Sequence, residues 1–173
     1  MKGGVILCGL NGSGKSTLGR ALALRLDWEF IDIEDCFFPK TDPSYLYAQP
    51  RSRQEAAAIL RERAASAGSF VLASVKGDYE GLAPLLGAAV WLRVDSGLRA
   101  RRVRQRSYGK FGSRMLPGGD LYEQEEQFFA AAAQRQDREV EAWLSTLDCP
   151  VWQVDGTRPI EENAALLASR LQS

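Results

Sequence analysis

Eight consecutive residues, Gly9-Leu10-Asn11-Gly12-Ser13-Gly14-Lys15-Ser16, carry the spacing G-x-x-x-x-G-K-[ST]. Glycines at these positions let the main chain curl until successive N–H groups point inward, a cradle for phosphate oxygens. Lys15 adds a point charge for the outer phosphates, and Ser16 offers a hydroxyl to a magnesium ion. A helix opening at Ser16 and Thr17 would aim the positive end of its dipole at the same anion. An apolar run, Val5 to Cys8, precedes the loop and helical spacing follows it, the strand–loop–helix context this chemistry needs. The expected ligand is a nucleoside triphosphate with magnesium.

Acid groups come next. Phe30-Ile31-Asp32-Ile33-Glu34-Asp35 ends a second apolar run, and side chains two apart in a strand share a face. Asp32 and Glu34 are therefore expected to point together, where a carboxylate could join the magnesium shell or take a proton from an attacking hydroxyl. A third run, Ser69 to Ser74, ends without a carboxylate, although many ATPases and GTPases hold their metal there. That shifts the metal role to Asp32 and the expectation from a motor or switch to a small-molecule kinase. Lys40, Arg51 and Arg53 follow the acidic pair and could clamp an anionic or polyhydroxylated acceptor.

Basic residues cluster later: Arg99, Arg101, Arg102, Arg104, Arg106, Lys110 and Arg114, interleaved at the end by Gly109, Gly112, Gly118 and Gly119. Phosphoryl transfer spreads negative charge over the migrating group, and arginines on a mobile lid can stabilise it. Arg102 and Arg106 share a helix face, as do Arg101 and Arg104, so only part of the set can look at one site. Arg114, alone in the Gly-rich stretch, is the expected lid arginine. Lys plus Arg equals Asp plus Glu, 22 each, so an RNA-binding stripe is disfavoured and no nucleic-acid partner is expected.

These groups need a scaffold. Strands are expected near Gly4–Cys8, Glu29–Ile33, Phe70–Ser74, Ala88–Val94 and Val151–Val154, and helices near Lys15–Leu26, Arg53–Ala67, Gly97–Arg106, Leu121–Leu147 and Pro159–Leu171. Thr157 or Arg158 is placed as the cap of the last helix, with Pro159 in its first turn. Alternating strand and helix predict an α/β doubly wound parallel sheet with ligands beyond the carboxyl ends of its strands. The 173 residues read as one domain, with an acceptor-binding region at about 34–62 and a lid at about 107–120. Trp28, Trp91, Trp143 and Trp152 lie in apolar patterns and read as packing residues. The chain has no histidine, which removes Ser-His-Asp hydrolysis and most catalytic zinc sites. Cys8, Cys36 and Cys149 form no CxxC pair; with no leader pattern and no membrane-length apolar stretch, a reduced, cytoplasmic location is expected.

Four blocks resemble the small P-loop kinases of the nucleoside-monophosphate-kinase-like group, and among them the shikimate kinase-like and gluconate kinase-like branch. They are the loop running on to Gly19, Phe30–Glu34, the Arg-rich helix leading to Arg114-Met115-Leu116-Pro117, and Asp155-Gly156-Thr157-Arg158-Pro159. The resemblance implies a P-loop NTPase fold with a five-stranded parallel sheet, helices on both faces and a mobile lid. It implies ATP held by Gly9, Asn11, Gly12, Ser13, Gly14, Lys15, Ser16 and Thr17, an adenine pocket at Arg101 or Arg102 and Pro159, and Mg2+ on Ser16 and Asp32. Lys15, Asp32, Glu34 and Arg114 take the catalytic positions, and Glu34, Asp35, Arg53 and Arg135 face a small-molecule phosphate acceptor. Two departures weigh against the best-known acceptors. Ser74-Val75-Lys76-Gly77-Asp78 stands where shikimate kinases carry a Gly-Gly-Gly run, and a histidine signature of gluconate kinases cannot exist here. The resemblance leaves two rivals, a nucleoside or nucleoside-monophosphate kinase and an ATP-binding regulator without an acceptor. No membrane partner is expected, and oligomeric state has no signature in the sequence.

Overall fold

The computed structural model describes residues 3–173. Five parallel strands form its sheet: β1 (Gly3–Cys8), β2 (Glu29–Asp32), β3 (Ser69–Ala73), β4 (Leu86–Arg93) and β5 (Val151–Asp155), in the order β2-β3-β1-β4-β5. The helices are α1 (Lys15–Leu26), α2 (Ile33–Phe37), α3 (Arg53–Ala67), α4 (Ser96–Phe111), α5 (Tyr122–Gln134), α6 (Asp137–Leu144) and α7 (Ile160–Gln172).

β1 is the central strand and is buried on both faces, which is why its sequence is apolar without alternation. Val5 and Leu7 pack with Leu18, Leu22 and Leu167 under α1 and α7. Ile6 and Cys8 face the other way, onto Leu60, Leu72 and Leu144 under α3 and α6. Each fully buried Leu or Ile contributes about 1.5–3 kcal/mol, and these two layers fix the strand register. Asp32 pairs with Ala73, Leu7 with Ala73, Cys8 with Trp91, and Arg93 with Asp155. The carboxyl ends of all five strands thus form one rim.

Several boundaries differ from the sequence expectation. β2 ends at Asp32, and Ile33 begins the short helix α2. The expected long helix Leu121–Leu147 is two helices, because Arg135 and Gln136 adopt extended backbone (ψ 140 and ψ 143). α4 runs on to Phe111, so Gly109 lies inside a helix and the first part of the lid is ordered rather than a glycine-rich loop. Only Gly112 and Gly118 of that stretch take positive φ. Pro159 is itself the cap of α7, displacing Thr157 and Arg158, whose turn is held instead by Asp155: its Oδ1 accepts from the Thr157 amide at 2.8 Å. Among the tryptophans, Trp91 is buried, while Trp28, Trp143 and Trp152 are half-buried against the two apolar layers. No described helix is long and apolar enough to cross a membrane.

Candidate active site

The loop between β1 and α1 lies on the rim, and close packing enforces its shape. Gly12 has φ +84, and a Cβ there would come within 2.5 Å of the Arg99 carbonyl oxygen on α4. Gly14 caps α1 in the left-handed region (φ 94, ψ 17) with no side-chain cap, so the first-turn amides are left to a ligand. Two arginines of α4 hold the loop from the side. Arg99 Nη1 donates to the Asn11 carbonyl at 3.4 Å, and Arg102 Nη1 donates to the carbonyls of Gly12 and Gly156, each at 3.3 Å.

Lys15 is half-buried, its ammonium donating to the Leu10 carbonyl at 3.2 Å. Burial, then the nearby Arg106 guanidinium, pushes its pKa down to about 8, with Asp32 pulling the other way and Arg135 adding to the depression. Ser16 donates its hydroxyl to Asp32 Oδ2 at 2.6 Å. The other carboxylate oxygen of Asp32 accepts from the Glu34 amide at 3.0 Å, capping α2. Asp32 and Glu34 therefore do not share a strand face: the first caps a helix and the second lies in its opening turn. Capping fixes the Asp32 carboxylate against Ser16 more firmly than a strand end would.

A hydroxyl and one carboxylate beside a phosphate cradle suit magnesium, which takes one or two protein oxygens and completes its shell from phosphates and water. The uncapped helix start, Lys15 and Arg106 suit the polyanion. These residues line a cleft of about 390 Å³ with Gly12, Thr17, Val103, Gly156 and Pro159.

On the other side of Asp32, Glu34 is 28 % exposed and sits between two ammoniums, Lys40 at 3.7 Å and Lys110 at 3.9 Å. Asp35 is taken by Lys40 at 2.6 Å. Tyr47, from the segment before α3, accepts a hydrogen bond from Lys110 and faces Glu34; burial, then Glu34, pushes its phenol up. Phe38, Tyr45, Tyr47 and Phe111 stack edge-on or tilted, with ring centroids 5.1–6.2 Å apart, and tie that segment to the end of α4. Burial raises the Cys36 and Cys8 thiols, the latter to about 12, so neither is a nucleophile near neutral pH.

The expected site residues separate into two groups. Gly12, Gly14, Lys15, Ser16, Thr17, Arg102 and Pro159 line one cleft, and Gly9, Asn11 and Ser13 complete the loop beneath it. Three arginines lie elsewhere. Arg101 is on the opposite side of α4, lining a second groove with Arg104 and Tyr108. Arg53 pairs with Asp78 at 3.0 Å and stacks on the Tyr79 ring. Arg114 forks onto Asp120 at 2.7 and 3.0 Å and donates to the Ser44 carbonyl at 2.7 Å. The sequence reading grouped Arg99, Arg106 and Lys110 in the basic cluster without giving any of them an individual role, and did not single out Tyr47. In the structure Arg106 borders the cleft, Arg99 braces the loop, and Lys110 and Tyr47 meet beside Glu34. Arg106 had a signal, its four-residue spacing from Arg102; Tyr47 had none.

The chain belongs to the AAA domain family, whose match covers residues 5–130 and so includes the loop, both acid groups and α4. Its similarities within that family lie with P-loop kinases. It is 25 % identical to an uncharacterized protein, YqaC, of Bacillus subtilis, over 100 % of this chain and 99 % of that one. It is 32 % identical to a shikimate kinase of Rippkaea orientalis over 111 residues, 57 % of each chain. Among solved structures, a shikimate kinase from Acinetobacter baumannii in complex with shikimate superposes with a TM-score of 0.62 at 15 % identity, over 98 % of this chain and 93 % of that one. A deoxyadenosine kinase from M. mycoides with bound dATP reaches 0.60 at 16 % identity, with both chains fully covered. At such identities the structural likeness is one of fold, and the sheet, helices and loop expected from the sequence are those of this fold.

Proposed function

We propose that the protein is an ATP-dependent phosphotransferase that acts on a hydroxyl of a small metabolite. The reading is carried by one observation: Asp32 joins the phosphate cradle to the acceptor wall, bonding Ser16 through one oxygen and capping Glu34 through the other. A kinase needs a carboxylate at this junction, whereas a switch or motor NTPase commonly carries it at the end of a neighbouring strand. Here β3 ends in Ala73 and Ser74, the Ser74 hydroxyl donating to the Lys76 carbonyl at 2.7 Å.

The loop amides and Lys15 hold the triphosphate. Ser16 and Asp32 would hold a magnesium ion, which when bound would supply Lewis-acid polarisation of the outer phosphates. Glu34, set between Lys40 and Lys110, orients the acceptor hydroxyl and takes its proton. Arg102 and Pro159 border the base end of the cleft. Arg114 and Asp120 brace the lid against the segment that precedes α3. Arg53 and Asp35 shape the acceptor wall through their ion pairs rather than as free ligands.

The deciding experiment measures ADP release from Mg-ATP in the presence of separate acceptor panels: hydroxylated carboxylic acids, sugars, amino-polyols, nucleosides and nucleoside monophosphates. Stimulation by a hydroxylated metabolite, with a phosphorylated product seen by mass spectrometry, supports the reading. Stimulation by nucleosides or nucleotides alone would replace it with a nucleoside kinase. Tight nucleotide binding that no acceptor accelerates would make the protein an ATP-binding regulator.

A further inference from the structure

Lys110, in the last turn of α4, lies outside the cleft that Arg102 and Arg106 border and turns to Glu34 instead. It is half-buried, it donates to the Tyr47 hydroxyl, and Glu34 is its one ion-pair partner among the described residues. Burial, above all, lowers its pKa, and Glu34 is the strongest group pulling the other way; Arg106 and Lys40 deepen the depression and Asp32 relieves it. Lys40 also approaches Glu34, but Asp35 holds that ammonium more closely, at 2.6 Å against 3.7 Å. Both ammoniums approach the same oxygen of Glu34, Oε1.

Tyr47 completes a triangle with these two residues. Its oxygen accepts from Lys110, so the hydroxyl proton is left to face Glu34. Burial, then the Glu34 charge, pushes the phenol up and keeps it a neutral donor. A hydroxyl that accepts from a cation is polarised by it and donates more strongly to a carboxylate. Such help matters for Glu34: the bond from its amide to Asp32 fixes its backbone, while its side chain keeps the rotamer freedom of a long, unbranched acid. The lid supports the corner at further points. Arg114 donates to the Ser44 carbonyl at 2.7 Å, and the rings of Tyr45 and Tyr47 lie 5.5 and 6.2 Å from that of Phe111. The Tyr45 phenol faces Glu125, a buried carboxylate that accepts from Ser107 of α4 at 3.2 Å.

We propose that Lys110 and Tyr47 are positioning residues for Glu34: an ammonium from the lid helix and a phenol from the acceptor wall hold the carboxylate that receives the acceptor's proton. The inference rests on the phosphotransferase reading. In the step it serves, the acceptor oxygen bonds the γ-phosphorus, and the bond to the β,γ-bridging oxygen breaks with its electrons left on the diphosphate. The hydroxyl proton passes to Glu34. Neither Lys110 nor Tyr47 touches the reacting atoms. Because one comes from α4 and the other from the segment before α3, the proton acceptor is in place only while the lid lies against Ser44–Tyr47.

The test is a double-mutant cycle on ADP release from Mg-ATP by the full chain, with water as acceptor and then with each of the acceptor panels above. Calorimetry of magnesium β,γ-imido-ATP runs beside it. Lys110→Met keeps the aliphatic stem and removes the charge; it is expected to lower kcat about tenfold, with KM for ATP and affinity for the analogue within about twofold of wild type. Lys110→Arg should recover part of the loss, and Tyr47→Phe should lower kcat by about threefold. In a Glu34→Gln background Lys110→Met should cost nothing further, because a residue acting through Glu34 has nothing left to position. Losses that multiply in the double variant would overturn the inference, since Lys110 would then act independently of Glu34. Weaker analogue binding by Lys110→Met would overturn it as well and make Lys110 a phosphate contact, and an unchanged kcat would make it a bystander. If the wild-type chain released ADP with neither water nor any panel, the phosphotransferase reading would fail and this inference with it, whereas an active wild type beside an equally active Lys110→Met sinks the inference alone.

Discussion

The phosphate-loop cradle and the proposed acceptor wall meet at Asp32, yet they are built in opposite ways. The cradle is one contiguous stretch held by main chain: left-handed glycines, helix-start amides, and carbonyls pinned by Arg99 and Arg102. The acceptor wall is assembled from α2, the segment before α3, and the end of α4, joined by ion pairs and edge-on aromatic contacts. A phosphate tail is the same in every nucleotide, so a fixed backbone shape can serve it. An acceptor differs from enzyme to enzyme, and side chains on separate segments can change without disturbing the sheet. On the proposed function, the cradle reports a class of reaction and the wall its particular substrate.

Substitutions can break or sharpen that contrast. Lys15→Ala should have the largest effect, lowering turnover by about 100- to 1,000-fold, as expected when one preorganised donor to a developing charge is lost. Circular dichroism should remain that of the wild type, because Lys15 bonds only the Leu10 carbonyl. Asp32→Asn comes next. Asn caps a helix as well as Asp does, so α2 should persist while the carboxylate beside Ser16 is lost. Turnover and apparent magnesium affinity should fall by about 10- to 100-fold in a magnesium titration. Near-normal rates would remove Asp32 from the metal site.

Gly12→Ala acts through shape alone. A left-handed non-glycine residue costs about 1–2 kcal/mol, and the new Cβ would meet the Arg99 carbonyl, so urea denaturation should show at least that loss together with weaker nucleotide binding. Tyr47→Phe should do least. Removing a hydroxyl that accepts from Lys110 costs about 0.5–1.5 kcal/mol in the same denaturation experiment and should leave Mg-ATP affinity where it was. If Tyr47→Phe weakened ATP as much as Gly12→Ala does, cradle and wall would not be separate structures.

The same contrast explains what could be read from the sequence. The loop, the five strands and the absence of a carboxylate after β3 follow from local pattern, because each is a consecutive run with its own physical signature. Asp32 was legible as an acid beside the loop, but its role as the cap of α2 was not: Ile31 and Ile33 alternate with acids as in a strand, and only the turn after Asp32 breaks the pattern. The arginines show the limit most clearly. Spacing grouped Arg102 with Arg106 and Arg101 with Arg104, yet which pair looks into the cleft depends on where Val103 and Ser107 dock. Arg114 sits in a motif-like context and nonetheless pairs with Asp120, six residues on. Tyr47 reaches Glu34 through the path of an irregular segment, which no periodicity encodes.

The most direct measurement is calorimetry of Mg-ATP binding at about pH 6.5 and about pH 8.5, in buffers of different ionisation enthalpy. Lys15 has a pKa near 8 before the anion arrives, so it is charged at the lower pH and mostly neutral at the higher one. A triphosphate in the cradle raises that pKa, since it favours the ammonium over the amine. One-to-one binding is expected at both values, with no proton taken up at the lower pH and most of a proton taken up at the higher. An absence of binding heat at either pH, or binding that survives Lys15→Ala undiminished, would contradict a phosphate cradle at Gly9–Ser16.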